Sequence, residues 1–194
     1  MTTLKIIVAS TRPGSSGPAI GGWIAETAWR TGDFDRVEVL DLAEINLPFL
    51  DEPHHPKLGR YTKPHTLAWA REIDTADALV IITPEYNSGF PAPLKNALDF
   101  LHAEWQNKAL GVVSYGGGPG GGVRAANMLT QISTALGLFT TGNTVALARA
   151  AGQVVDGEFV ATIANDADLG AMLSELAAID ADLTPRRAAF APAS

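Results

Sequence analysis

The sequence predicts an α/β fold: a doubly wound, five-stranded parallel sheet with helices on both faces. Three observations carry this reading. Leu4–Ala9, Ala78–Ile82 and Ala109–Ser114 are short, bare apolar runs, the pattern of strands buried on both sides. Segments with helical periodicity alternate with them, which is the signature of βαβ units. The loops that follow these three strands are far richer in Gly, Pro, Ser and aromatic residues than a plain connection requires.

In chain order, Leu4–Ala9 is the first strand and Ser10–Pro18 the loop after it. A helix follows with Ile20, Trp23, Ile24, Thr27 and Ala28 on one face. Val37–Asp41 reads as the second strand. Residues 45–66 form a long irregular connection, and a weaker helical pattern covers Leu67–Ile73. Ala78–Ile82 is the third strand. Beyond the turn Pro84–Pro91, Leu94, Ala97, Leu98, Leu101 and Trp105 repeat as one face of a helix that reaches Trp105, leaving Phe100 and His102 off the apolar stripe. Ala109–Ser114 is the fourth strand; a glycine run and a helix carrying Ala125, Leu129, Ile132 and Leu136 follow. Thr144–Leu147 is a short fifth strand, and Leu169, Met172, Leu173, Leu176 and Leu183 mark a last helix. A single domain over 1–184 and a loose tail over 185–194 are expected. Five strands suit the flavodoxin-like order 2-1-3-4-5, whose switch point lies between the first and third strands; ligands bind there, outside the carboxyl ends of the strands.

Composition narrows the function. With 194 residues, 14 Lys plus Arg against 21 Asp plus Glu, and a net charge of −7, a generic nucleic-acid or anionic-membrane surface is not expected. The absence of cysteine removes thiol nucleophiles, disulfides and Cys-ligated metal centres, so redox chemistry would require a bound cofactor. No stretch has the length of a membrane span and the N-terminus does not read as a signal peptide, which makes the cytoplasm the expected compartment.

The first loop offers hydroxyls from Ser10, Thr11, Ser15 and Ser16, the guanidinium of Arg12 and a helix N-terminus, a set suited to a phosphate; the plainer alternative is a turn that caps the helix. Neither a P-loop Gly-Lys-Ser/Thr nor a dinucleotide fingerprint occurs in it. Gly116-Gly117-Gly118-Pro119-Gly120-Gly121 matches GxGxxG formally, but no acidic residue follows until Asp156, where a ribose ligand is expected about 20 residues on. Close backbone approach to a flat ligand, or a flexible loop, are the two readings left open. In the third loop Tyr86 and Phe90 are candidate walls of a substrate pocket for a flat ring, or packing residues, and Asn87 can donate and accept. His54 and His55 sit beside Asp51 and Glu52 and read as solvated loop residues before a metal site, so no metal is expected.

Ser10-Thr-Arg-Pro-Gly, Pro84-Glu-Tyr-Asn-Ser-Gly-Phe-Pro-Ala-Pro-Leu-Lys-Asn-Ala-Leu-Asp and Ser114-Tyr-Gly-Gly, with Leu-Asp-Glu-Pro at 50–53, together resemble the NADPH-dependent FMN reductase family over most of the chain to Leu147. The resemblance implies a flavodoxin-like fold and non-covalent FMN. It implies reduction of flavins, quinones, azo compounds or metal oxyanions by NADPH or NADH, and a homodimer or homotetramer. It places the FMN phosphate on Ser10, Arg12, Ser15, Gly17 and Pro18. It places the isoalloxazine beside Pro84, Glu85, Tyr86, Asn87 and Gly89 and against Ser114, Gly116 and Gly117. The glycine run departs from the family pattern by its length and is expected to be loose beyond Gly117. The flavin carries the chemistry, so no protein group is expected to be catalytic in its own right, and a single open ring face implies ping-pong kinetics. The alternative reading is a flavodoxin-type electron carrier or a flavin-binding regulatory module. Phe100, His102 and Trp105 mark the expected dimer face.

Overall fold

The structure is a computed structural model that describes residues 1–190. Its sheet runs in the order β2 (Arg36–Asp41), β1 (Thr3–Val8), β3 (Ala78–Pro84), β4 (Ala109–Gly116) and β5 (Phe139–Thr140), with β6 (Val145–Ala148) also paired to β4. Every pairing in it is parallel, from Leu4 opposite both Val37 and Ala78 to Ser114 opposite Ala146. The expected fifth strand is therefore two short pieces beside one neighbour, and Thr144 precedes the second of them.

Strand alternation sorts the core into two layers. Leu4, Ile6 and Val8, Val80 and Ile82, and Val113 and Tyr115 pack under α1 (Gly17–Thr31) and the last helix, α6 (Ile163–Phe190). Ile7, Leu79, Ile81, Leu110 and Val112 pack on the opposite face with α3 (Pro64–Asp74), α4 (Ala92–Asp99) and α5 (Val123–Ala135). Burial on both faces explains why β3 reads as an unbroken apolar run: all seven of its residues are buried. β2 lies at the edge and is only partly covered, in keeping with its alternating Val37-Glu38-Val39. The short α2 (Leu42–Ile45) follows it, opened by the Asp41 carboxylate, which accepts from the Ala43 amide at 2.8 Å. A small antiparallel hairpin, β7 (Val154–Val155) with β8 (Glu158–Phe159), rests on α1.

Two expectations about helices are corrected. The helix after β3 does not reach Trp105: α4 stops at Asp99 and a separate 3₁₀ turn spans Ala103–Trp105. The chain bends at His102 (φ −141, ψ −59), which turns Phe100, Leu101 and Trp105 into the core together. Phe100 and Trp105 are completely buried, with the Trp105 indole donating to the Leu98 carbonyl at 3.1 Å, so the face proposed for dimerisation does not exist as an aromatic surface. At the other end of the chain, α6 continues past Thr184 through Pro185 to Phe190. Arg187, in the stretch expected to be loose, pairs with Asp180 at 2.6 Å and with Asp77 at 3.3 Å. Residues 191–194, the rest of that expected tail, lie outside the described residues.

Candidate functional site

The loops after β1, β3 and β4 meet at the carboxyl end of the sheet, as the strand order requires. The first is curled on itself. Its Ser15 amide donates to the Arg12 carbonyl at 3.1 Å, Gly14 sits at φ 69, and the Arg12 amide donates weakly to Ser10 Oγ at 3.4 Å. Arg12 is thereby thrown outward; it is exposed and belongs to none of the ion pairs among the described residues.

The loop feeds α1 at Gly17. Ser16, the residue before it, has helical dihedrals (φ −76, ψ −6), makes no side-chain cap, and no acidic residue occupies the first turn. Pro18 lies within that turn and supplies no N–H. The positive end of this fifteen-residue helix therefore has neither a side-chain cap nor an acidic residue in its first turn. The phosphate reading of this loop gains over the capping reading, because the cap is not made. Ser10 is buried, and its hydroxyl lies 2.8 Å from the Tyr86 hydroxyl, which ties the first loop to the second.

Within the second loop, Tyr86 and Gly89 exchange both backbone hydrogen bonds at 2.8 and 3.0 Å around Asn87 (φ 51) and Ser88 (φ 68). Two consecutive left-handed residues make a tight hairpin turn of the primed kind, for which Asn at the first position is a favoured choice. Asn87 is thus explained first by its backbone. Its side chain, with Tyr86, stays exposed at the mouth. Pro84 is the buried last residue of β3. Glu85 is not a free charge. Its carboxylate accepts from the Arg124 amide at 3.1 Å and from its guanidinium at 3.0 Å, closing the N-terminus of α5. Phe90 is partly buried and packs against the α4 side of the core.

The glycine run is two structures. Gly121 (φ 57) and Gly122 (φ 84) are close-packed. A Cβ on Gly121 would lie 2.7 Å from the Ala146 carbonyl carbon, and one on Gly122 would lie 2.8 Å from the Tyr115 oxygen. The expected looseness past Gly117 is corrected there: contact with β4 and β6 demands glycine on both counts, space and dihedral. At Gly117 and Gly118, by contrast, a Cβ would meet nothing within 4 Å. That exposed half borders the mouth, and Gly116 is half-buried at its edge. Ser114 does not present its side chain to the mouth. It is fully buried, and its hydroxyl donates to the Gly121 carbonyl at 2.8 Å, holding the glycine turn.

A residue the sequence did not flag lies beneath all three loops. Tyr115 sits 7% exposed at the end of β4, with its hydroxyl buried and without a hydrogen-bond partner among the described residues. Burial raises its pKa, opposed by the hydroxyls of Ser10 and Ser15 and by the charge of Arg12. Strand periodicity could have found its direction, since Val113 and Tyr115 share a face. The sequence also gave no signal for a cleft of about 540 Å³ beside the first loop, bounded by Thr11, Leu47, Phe49, Pro93 and Asn96. Asn96 shapes it by donating to the Pro48 carbonyl at 2.7 Å and accepting from the Leu50 amide at 3.0 Å. His54 and His55 are exposed on the long connection; His55 Nδ1 accepts from the Lys57 amide at 3.2 Å and opens a short turn. Lys95 pairs with Asp99 one helical turn on.

An anion-receptive loop after β1, flanked at the switch point by a glycine turn and an aromatic hairpin, defines a flavodoxin-like mononucleotide-binding protein. The model of the NADPH-dependent FMN reductase family matches residues 2–152, and the chain belongs to that family, whose cofactors are FMN and NAD(P)H. The chain is 45% identical over 120 residues to an NAD(P)H-dependent FMN reductase of Schizosaccharomyces pombe, a match that spans 61% of this chain and 60% of that relative. It is 38% identical over 105 residues to an NAD(P)H:quinone oxidoreductase of Solanum tuberosum, covering 53% and 52% of the two chains. Among solved structures, the flavoenzyme FerB of Paracoccus denitrificans superposes with a TM-score of 0.69 at 20% identity, over 94% of this chain and 98% of that one; at that identity the likeness speaks for the fold.

Proposed function

We propose that the protein is an FMN-dependent NAD(P)H oxidoreductase that reduces a small-molecule acceptor. The observation that carries this is the unneutralised first loop: an exposed Arg12 with no ion-pair partner among the described residues, at a helix N-terminus with no cap. Those groups fit the phosphate of FMN, through charge-assisted donors and the helix dipole. Ser10, Arg12, Ser15, Gly17 and Pro18 would hold the phosphate end. The Tyr86–Gly89 hairpin and the open Gly117–Gly118 backbone would border the ring. Bound FMN would supply two-electron hydride chemistry between the nicotinamide and the acceptor. The chain's part is to position: Glu85 and Arg124 pin the second loop to α5, and Ser114 fixes the glycine turn.

The quinone reductase among the relatives favours a quinone acceptor; flavins, azo compounds and metal oxyanions are the other classes the resemblance implies. With the three loops on one side of the ring, donor and acceptor share the open face, so the reading includes ping-pong kinetics. It also includes a homodimer or homotetramer, resting on the resemblance now that Phe100 is buried, and a cytoplasmic location. Among the described residues no helix is long and apolar enough to cross a membrane.

The test is the absorption spectrum of the purified protein followed by NADPH titration under nitrogen. A bound flavin that bleaches rapidly is expected. A flavin that stays oxidised would mark a carrier or a regulatory module instead. With a quinone, double-reciprocal lines at several fixed quinone levels should run parallel; intersecting lines would require a ternary complex. Light scattering should show an oligomer.

A further inference from the structure

We infer that the Tyr115 hydroxyl is a ligand of the flavin phosphate, and that it makes the site select a phosphorylated flavin over riboflavin. The inference rests on the FMN reading above. Its starting point is an unmet donor. Tyr115 is 7% exposed, its hydroxyl is buried, and among the described residues nothing hydrogen-bonds to it. A buried hydroxyl without a partner lowers the stability of the folded chain, so a native structure that keeps one invites a functional explanation.

The position of the hydroxyl supplies one. A Cβ built on Gly17 would lie 3.3 Å from it and 3.5 Å from Ser15 Oγ. The phenol therefore ends against the first residue of α1, where the helix has no cap and no acid. Gly17 is also the residue whose lack of a side chain lets the start of α1 approach β1 and the phenol this closely: the same Cβ would overlap Val8 Cγ1 at 2.7 Å. Ser10 Oγ is already bonded to the Tyr86 hydroxyl at 2.8 Å, and Ser15 Oγ, which shares this corner, makes no hydrogen bond to the phenol, so the phenol keeps a donor for an incoming acceptor. A phosphate oxygen at the N-terminus of α1 would accept from Tyr115 below and from the loop above. Burial keeps the phenol protonated, hence a donor, throughout the physiological range.

The riboflavin ring and ribityl chain lack the phosphate oxygens, so the hydroxyl would distinguish the two ligands where ring contacts cannot. Tyr115→Phe preserves the ring and its packing against the α1 face and deletes one atom. Dissociation constants of FMN and riboflavin would be measured by flavin fluorescence for both proteins, alongside the thermal midpoint of the apoprotein. The expected result is a loss of FMN affinity of about 10- to 100-fold, the size of one charge-assisted hydrogen bond, with riboflavin affinity unchanged and the apo midpoint unchanged or higher. The ³¹P resonance of bound FMN should shift as well. FMN affinity within twofold of the parent overturns the inference, as does an equal loss for riboflavin, which would locate the effect at the ring. If the parent protein itself binds FMN no better than riboflavin, the phosphate site fails and Tyr115 with it; a parent that does discriminate, beside an unaltered Tyr115→Phe, overturns the inference alone.

Discussion

The two ends of the sheet handle charge in opposite ways. At the amino end the cations are held by neighbours. Lys5 lies 3.0 Å from Glu38 and 2.7 Å from Glu72, Arg187 binds Asp77 and Asp180, and Lys108 donates to the carbonyls of Asp74 and Ala76. At the carboxyl end, among the described residues, Arg12 has no ion-pair partner, α1 has no side-chain cap and the Tyr115 hydroxyl has no hydrogen-bond partner. Charged groups in a folded chain normally find partners, and it is the pairing of cations, met at the amino end and not at Arg12, that separates the two ends. Clefts alone do not make this distinction: one of about 560 Å³ lies among Arg71, Asp74, Lys108 and Arg187 at the amino end, similar in size to the cleft beside Thr11. Satisfaction of charge separates them where volume does not.

If the comparison holds, changes at the amino end cost stability and changes at the carboxyl end cost ligand affinity. The largest effect expected is at the structural half of the glycine turn, which is the internal control. Gly121→Ala places a Cβ 2.7 Å from the Ala146 backbone at a left-handed dihedral. Strain and overlap together should destabilise by about 4 kcal/mol, read by urea unfolding of the apoprotein. A change below 1 kcal/mol, on the same approximate scale, would show the turn to be as loose as its composition suggests.

Next is Arg187→Met, which leaves the buried Asp180 without its cation. Burial already raises the Asp180 pKa, with Arg187 opposing it. A loss of about 3 kcal/mol is expected, with FMN affinity of the folded protein unchanged. A variant that instead loses FMN would mean that the two ends are coupled through α6.

Arg12→Ala should do the reverse. FMN binding should weaken by about 10- to 100-fold, and apo stability should stay within about 0.5 kcal/mol, because the side chain is exposed and unpaired. Fluorescence titration and thermal melting check the two halves. An unchanged FMN constant removes Arg12 from the phosphate site.

The smallest effect is a slope. Burial pulls the Lys108 ammonium down to about 8 from 10.5, against the attraction of Asp74, Asp77 and Asp180 and with the repulsion of Arg187. Between those values the unfolded chain holds a proton that the folded chain has released, so this group makes stability rise with pH across that window. The contribution should appear above pH 8 in urea midpoints and vanish in Lys108→Met. Tyr61, whose pKa is raised by burial and by Glu104, works in the opposite sense above its ordinary value of 10.0. A flat parent profile between 8 and 10 would mean that Lys108 reaches water more freely than its 4% exposure implies.

The strands and their order were legible because burial on both faces leaves no room for polar residues: β1, β3 and β4 show as bare apolar runs, and turn-rich loops mark where they end. Helix α1 was legible by its period, with all five stripe residues buried. Where local pattern misled, a long-range contact decided. Leu94 to Trp105 keeps a helical period, yet the chain breaks at Asp99 because Phe100, Leu101 and Trp105 find better burial after a bend. Alanine, proline and arginine beyond Thr184 read as a loose end, yet Asp77, about a hundred residues away in the chain, anchors Arg187.

The site divides in the same way. Hydroxyls, a guanidinium and glycines at strand ends are one-dimensional facts, and the strand order brings the loops that carry them to one end of the sheet. Which of those groups are already engaged is a three-dimensional fact. Ser114 donates to Gly121, Glu85 accepts from Arg124, and Phe90 packs partly buried against the core, while Tyr115, placed by β4 against the start of α1, keeps a donor without a partner among the described residues. Sequence determines which polar groups a loop carries. Only packing determines which of them are left without a partner, because a hydrogen bond requires two groups within about 3 Å, and the chain positions that meet that condition are set by the fold.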